Sequence, residues 1–365
     1  MLTEWSTRVE FALPSWLQLR SNLAIGLLLC ASIAFLAQWL SQASLFAANG
    51  LSSLTLAIVL GLLVGNTVMP TVTTAVTPGV NYAKQYLLRL GIILYGFKLT
   101  FQSIGLVGLG GLLVDATVLL STFFLTVLLG CRVFKLEKTT AMLIGIGHSI
   151  CGAAAIMAAE PVLKARAEQV TIAVTTIVLF GTLAIFVYPQ LYYLNAHYGW
   201  LPHNDVVFGL FTGSTVHEVA QVVAVGDAVS AQATDTAVIA KMVRVMLLAP
   251  FLLVLSVWVA KQSNKGAQTM GALVKSIQVP WFAFVFIAVA GFNSFGWLAE
   301  DTLAHIAVID TVVLSMAMAA LGLSTDVRAF RRAGFKPLLL AALLFIWLVL
   351  GGGFINYIGL RLFGV

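Results

Sequence analysis

Charge is the scarcest commodity in this sequence. Lys, Arg, Asp and Glu together make up 9% of its 365 residues, against 60% hydrophobic, where a soluble domain carries about 25% charged residues. So few charges cannot cover the surface of a water-soluble body of this size, which excludes a soluble enzyme. Cysteine is nearly missing too: Cys30, Cys131 and Cys151 are spaced neither as CxxC nor as a disulfide framework. Each reads as a small hydrophobe, with no metal or cofactor implied. There is no GxxxxGK[ST] loop, so ATP is not the expected energy source. Period-two alternation is also lacking, which argues against a membrane barrel.

What is present is a series of long apolar runs. Mean hydropathy is +1.01, and runs of roughly 18 to 25 residues match a hydrocarbon core about 30 Å thick. The first, 21–40, lacks a good small-residue cleavage site and is followed at once by further spans, so it reads as a transmembrane helix rather than a signal peptide. Apolar windows predict an all-α membrane protein of about eleven transmembrane helices: 21–40, 51–69, 85–103, 110–131, 140–158, 169–191, 205–223, 236–259, 280–297, 303–323 and 337–359. A cytoplasmic segment, 1–20, precedes a single polytopic domain, 21–365.

The net charge of +6 does not call for a nucleic acid, because membrane proteins gather Lys and Arg in cytoplasmic loops. With the N-terminus in the cytoplasm, that side holds Arg8, Arg20, Lys84, Arg89, Arg132, Lys135, Lys138, Lys261, Lys265, Lys275, Arg328, Arg331, Arg332 and Lys336. The outer side holds Lys164, Arg166 and Arg361. That bias orients the chain in a bacterial plasma membrane. Lys98, Lys241 and Arg244 remain, all within predicted spans.

An ionisable group inside a bilayer costs at least a few kcal/mol and faces a cavity or a partner. Four places qualify. Lys98, late in the third span, either snorkels to the interface or offers a cation to an anionic substrate. The stretch Ile144-Gly145-Ile146-Gly147-His148-Ser149-Ile150-Cys151-Gly152 is either a broken helix presenting bare N–H groups to an anion or a small-residue packing face. His148 is either proton-linked or a packing histidine. In Gly213-Ser214-Thr215-Val216-His217-Glu218-Val219-Ala220-Gln221, His217 and Gln221 fall one helical turn apart beside Glu218. Gln221 stands where HExxH would place the second His, so a metalloprotease is not expected; a proton-coupling pair or a buried polar knot is. Lys241 and Arg244 share a helix face and need an anion or a carboxylate, for which Glu218 is the obvious partner. Asp115 and Asp310 fall near predicted helix starts, where acids complement the macrodipole.

Laying Ser149 on Ser214 also matches Ala155 with Ala220, and Leu99-Thr100 echoes Leu323-Ser324. Paired interruptions point to an inverted-repeat transporter, with halves near 51–195 and 204–360, although the two echoes imply different pairings.

These residues carry a resemblance. Lys84 to Gly96, Ser149 to Ala155, Gly213 to Val222, Lys241 to Arg244, Ala317 to Leu323 and Gly351 to Gly353 resemble the YeiH family of bacterial inner-membrane proteins, also labelled sulfate exporters. The resemblance covers nearly the whole chain and implies a fold grouped with cation:proton antiporters and anion transporters. His148 departs from the small residue expected there.

The sequence thus leads to a secondary transporter of a small oxyanion of the sulfate, sulfite or sulfonate class. Ser149, Gly152, Ser214 and His148 would bind it together with Lys98, Lys241 and Arg244, while His217, Glu218 and Gln221 couple a proton. A cation:proton antiporter is the alternative within transport, an intramembrane enzyme the one outside it. Symmetry favours a homodimer.

Overall fold

The computed structural model describes residues 15–43, 52–67, 69–199, 204–262 and 281–363. Most of the expected N-terminal segment, with Arg8, and the loop carrying Lys265 and Lys275 lie outside them. Among the described residues there is no strand. Six helices are long and apolar enough to cross a membrane by length and composition.

In chain order the helices are α1 (Ser15–Ser41), α2 (Ser53–Thr67), α3 (Met69–Tyr82), α4 (Leu88–Tyr95), α5 (Phe101–Leu128), α6 (Lys138–Ser149), α7 (Ala153–Leu163), α8 (Ala167–Tyr198) and α9 (Asp205–Thr215). They continue as α10 (Val219–Asp227), α11 (Ala231–Met246), α12 (Leu248–Gln262), α13 (Trp281–Asn293), α14 (Glu300–Leu323), α15 (Val327–Ala333), α16 (Phe335–Trp347) and α17 (Gly353–Phe363). Wide π turns join α3 to α4 and α16 to α17, so each pair runs on as one longer rod.

Two of the eleven expected spans are each broken in the middle. The runs 140–158 and 205–223 are each folded back as a helical hairpin. At the base of the first, α6–α7, Arg166 donates to both oxygens of Glu137 at 2.9 and 2.8 Å, and Gln169 donates to the same carboxylate at 2.6 Å. The residues that open and close this hairpin therefore lie side by side. At the base of the second, α9–α10, the Ser230 hydroxyl donates to Asp205 Oδ2 at 2.6 Å. Among the described residues the six long apolar helices are α1, α5, α8, α11–α12, α14 and α16–α17, while α2, α7 and α13 are shorter apolar helices.

The hairpins enter from opposite ends of the bundle, and α8 is the ruler. Its first turn holds the first base through Gln169. Its far end holds the second, where Tyr192 donates to Asp205 at 2.5 Å and Tyr193 to the Ala228 carbonyl at 2.9 Å. Gln169 and Tyr192 are about 35 Å apart along a helix, close to the thickness of a hydrocarbon core. The tips meet halfway, with Ile177 against Gly147 and Gly152 and Gly181 against the Gln221 side chain.

Two groups of helices surround this crossing. In the first, Gly61 and Gly65 bring α2 onto the backbone of α14 at Ala319–Leu323, and Gly26 meets Gly79 where α1 crosses α3. Small residues four apart permit such close approach, which is what holds helices together when the surrounding lipid is as apolar as the helices. Gly91 of α4 and Gly96, just past its end, complete the group against α14 and α13. In the second, Gly209 and Gly213 press α9 onto α11, Gly352 meets Thr215 and Gly359 meets Val114 of α5. A polar bond between the groups runs from the Tyr95 hydroxyl to Asp235 Oδ1, at 2.6 Å.

Candidate functional site: the meeting of two hairpin tips

Each hairpin turns in a short non-helical segment. In the first, Ile150 has φ −123° and ψ −90°, and Gly152 takes φ +70°. That sign of φ favours glycine, and a Cβ there would also lie 2.6 Å from Glu218 Cγ. In the second, Val216 and Glu218 are extended. The Gly- and Ser-rich stretches are thus true interruptions. His217 lies in the extended tip, before α10 begins, so it does not share a helix face with Gln221 as the spacing suggested.

Each tip exposes one helix end with spare carbonyls and one with spare N–H groups, and charged side chains cap all of them. Lys241 Nζ donates to the Ile150 carbonyl at 2.8 Å and to the Val216 carbonyl at 2.7 Å, tying the C-terminal ends of α6 and α9 together. Arg244 Nε donates to the Ser149 carbonyl at 2.7 Å, and Nη2 to that of His148 at 3.4 Å. At the N-terminal ends, Glu218 accepts from the backbone N–H of Ala153 in the other hairpin at 3.4 Å, and from the N–H of Gln221 in its own. Gln221 returns the bond, its Oε1 accepting from the Glu218 N–H at 3.0 Å. Cations at C-termini and a carboxylate at N-termini are the macrodipole preference met inside the bundle.

This corrects one expectation. Glu218 does not pair with Lys241 or Arg244; among the described residues, ion pairs within 4.0 Å join only Lys98 to Asp310 and Arg166 to Glu137.

Unmatched polar atoms collect around the crossing. His148 and His217 meet edge to face, ring centroids 4.6 Å apart. His148 bonds through Nδ1 to the Ile144 carbonyl at 2.9 Å. His148 Nε2, both nitrogens of His217, Gln221 Nε2 and Arg244 Nη1 are buried and have no hydrogen-bond partner. The side chains of His148, His217, Gln221, Lys241 and Arg244 are all at most 1% exposed.

The crossing therefore brings together Ser149, Gly152, His148, His217, Glu218, Gln221, Lys241 and Arg244. Ser214 stands to one side, its hydroxyl accepting from Asn356 Nδ2 of α17 at 2.8 Å. Lys98 is not among them. It closes the turn after α4, 2.9 Å from Asp310 Oδ2 and 4.7 Å from the centre of the Tyr95 ring.

Asp310 also differs from expectation: α14 begins at Glu300, so it lies well inside a long helix. Asp115 does fall near a helix start, two turns after Gly108, where φ +50° and ψ −159° break α5. Both acids are buried.

Fold and site define an all-helical, polytopic membrane protein built around two re-entrant hairpins. The chain belongs to the family described as conserved hypothetical protein 698, whose model matches residues 25–341. A UPF0324 membrane protein of Pseudomonas aeruginosa is 56% identical over 335 residues, covering 92% of this chain and 94% of the relative. The UPF0324 inner membrane protein YeiH of Escherichia coli K12 is 52% identical over 335 residues, covering 91% and 93%. A UPF0324 membrane protein of Yersinia pestis is 54% identical over 349 residues, covering 95% and 96%. No solved structure matches.

Proposed function

We propose that this protein is a secondary transporter of a small oxyanion, of the sulfate, sulfite or sulfonate class, driven by a proton or ion gradient rather than an enzyme. The observation that carries this reading is the surplus of buried donors at the crossing. Gln221 Nε2 and Arg244 Nη1 can only donate, and neither has an acceptor. Buried donors left unmatched cost about 1–3 kcal/mol each, and an oxyanion between the tips would satisfy several at once. Arg suits that role because its planar fork fits tetrahedral and planar oxyanions.

The fold supports an alternating-access transporter. An offset of 65 residues lays Ser149 on Ser214 and superposes the order of elements: α6 on α9, α7 on α10, and α8 on α11–α12. These two units enter from opposite ends, the relation expected of an inverted repeat with its site at the midplane. On that offset the repeat unit is 138–198 with 203–263, shorter than the halves near 51–195 and 204–360 expected from the paired interruptions. Only the second unit contributes cations, since Thr176 and Leu179 occupy the places of Lys241 and Arg244.

Charge supports a cytoplasmic N-terminus in the bacterial inner membrane. The first hairpin base brings Lys164 and Arg166 to the side that carries Arg132, Lys135 and Lys138. Of the three basic residues assigned to the outer side, Arg361 alone stays there, which sharpens the positive-inside bias.

A cation:proton antiporter is the second reading, favoured by the buried carboxylate of Asp115, but Lys241 and Arg244 beside it would repel a cation. The test is uptake of labelled sulfate and sulfite into proteoliposomes, with and without a pH gradient. Saturable uptake that Arg244→Gln abolishes in folded protein is the expected result. Normal flux in that variant sinks the site assignment.

A further inference from the structure

Asp115 is a carboxyl group that the fold leaves without a partner. It is 1% exposed, and neither carboxylate oxygen has a hydrogen-bond partner. A buried carboxylate is costly unless it is paired or protonated. α11 packs on α5 and presents Ala240 to the same cavity, with Lys241 next in sequence and Arg244 one turn on; neither cation comes within 4.0 Å of the carboxylate. From the other elements packed on it, α9 presents Ser214 and α17 presents Asn356, which do not titrate. These residues, with Gly111 and Gly359, line a cavity of about 10 Å³, room for a single water.

We propose that Asp115 is the proton-binding residue that couples anion transport. This rests on the oxyanion reading of the crossing. The crossing holds Lys241, Arg244 and Glu218, and Asp115 lies on the adjoining α5, sharing its cavity with Ala240, the neighbour of Lys241; with both acids ionised these four charges sum to zero. A bound oxyanion adds negative charge at Arg244, on the helix whose Ala240 lines the Asp115 cavity. Asp115, already without hydrogen bonds, then takes a proton from water: the carboxylate becomes the neutral acid, and the site regains one unit of charge. Release reverses the step, and anion and proton leave together. By reciprocity, the proton tightens anion binding as much as the anion tightens proton binding.

Glu218 is the weaker candidate because its oxygens already serve as a cap. They hold backbone N–H groups of both hairpins, so protonating Glu218 would loosen the crossing itself. Asp115 can change charge while every hydrogen bond around it stays in place.

The test is sulfate binding to the purified full-length protein in weakly buffered detergent with a pH indicator. Sulfate carries no proton of its own near neutral pH, so any alkalinisation comes from the protein. Wild type is expected to take up about one proton per bound sulfate, with affinity falling as pH rises. Asp115→Asn, a mimic of the protonated acid, should bind sulfate without that uptake and with affinity nearly independent of pH. Unchanged proton uptake in Asp115→Asn overturns the proposal, as does sulfate binding to wild type without proton uptake. Should the variant fold poorly, infrared difference spectra of wild type decide: sulfate must produce the carbonyl band of a newly protonated buried carboxyl, and its absence overturns the assignment. Failure of wild type to bind sulfate removes the oxyanion reading together with this one, whereas binding without protons removes this one alone.

Discussion

The Lys241 ammonium donates to the Ile150 carbonyl at 2.8 Å, across 91 residues of sequence and between two hairpins that enter from opposite ends of the bundle. The same nitrogen holds the Val216 carbonyl. Replacing Lys241 with Met keeps the volume and removes both bonds, orphaning two buried carbonyls at about 1–3 kcal/mol each. The expected outcome is a clear fall in the melting temperature of the detergent-solubilised protein, larger than for Met at exposed Lys138. Equal melting temperatures for the two variants would show that the tips are held by packing alone.

The hairpins make a topological prediction. Single cysteines in place of Glu137 and Lys164, in a background lacking Cys30, Cys131 and Cys151, should react with a membrane-impermeant thiol reagent from the same side. A cysteine at Asn204 or Gln232 should react from the other. Eleven straight spans would instead put positions 137 and 164 on opposite sides, so one labelling experiment in right-side-out and inverted vesicles separates the two arrangements.

Which parts of this were legible in the sequence follows from what each signal measures. Broken helices could be read from Gly145, Gly147, Gly152 and Gly213, because glycine clusters weaken helices wherever they fall. The convergence of Lys241, Arg244, Ser149 and His217 could be read from the cost of intramembrane charge. Reversal of direction could not. The halves of the first hairpin, 12 and 11 residues long, sum to the length of one span, and hydropathy registers length but not direction. Lys164 and Arg166 held the clue, as two of the few exceptions in an otherwise one-sided charge pattern. Partners were also beyond reach: sequence suggested that Glu218 would neutralise a cation, whereas backbone N–H and C=O groups, which carry no signature in composition, took up both charges.

Glycine is required at position 152 and not at position 105, and substitutions should separate the two. Gly152→Ala meets both a φ of +70° and a contact 2.6 Å from Glu218 Cγ, so strain and displacement of the cap add. About 1–3 kcal/mol of destabilisation is expected. Gly105→Ala, where an added Cβ meets nothing within 4 Å, should be neutral or slightly stabilising through its helix propensity. Thermal unfolding of both variants checks the pair, and equal effects would remove the steric argument.

Lys98 provides the sharpest choice between structure and sequence expectation. Its partner Asp310 has a fully buried side chain, while about a third of the Lys98 side chain is exposed. Removing Lys98 should strand a buried carboxylate at a cost of several kcal/mol for a fully buried pair, reduced here to about 1–3 kcal/mol by solvent at the lysine. Lys98→Met should therefore destabilise the protein, and Lys98→Met with Asp310→Asn should recover much of the loss, giving a coupling energy of about 1–2 kcal/mol in a double-mutant cycle. Sulfate uptake should return with the stability. An additive cycle, combined with uptake abolished by Lys98→Met at unchanged melting temperature, would instead place Lys98 on the path of the anion.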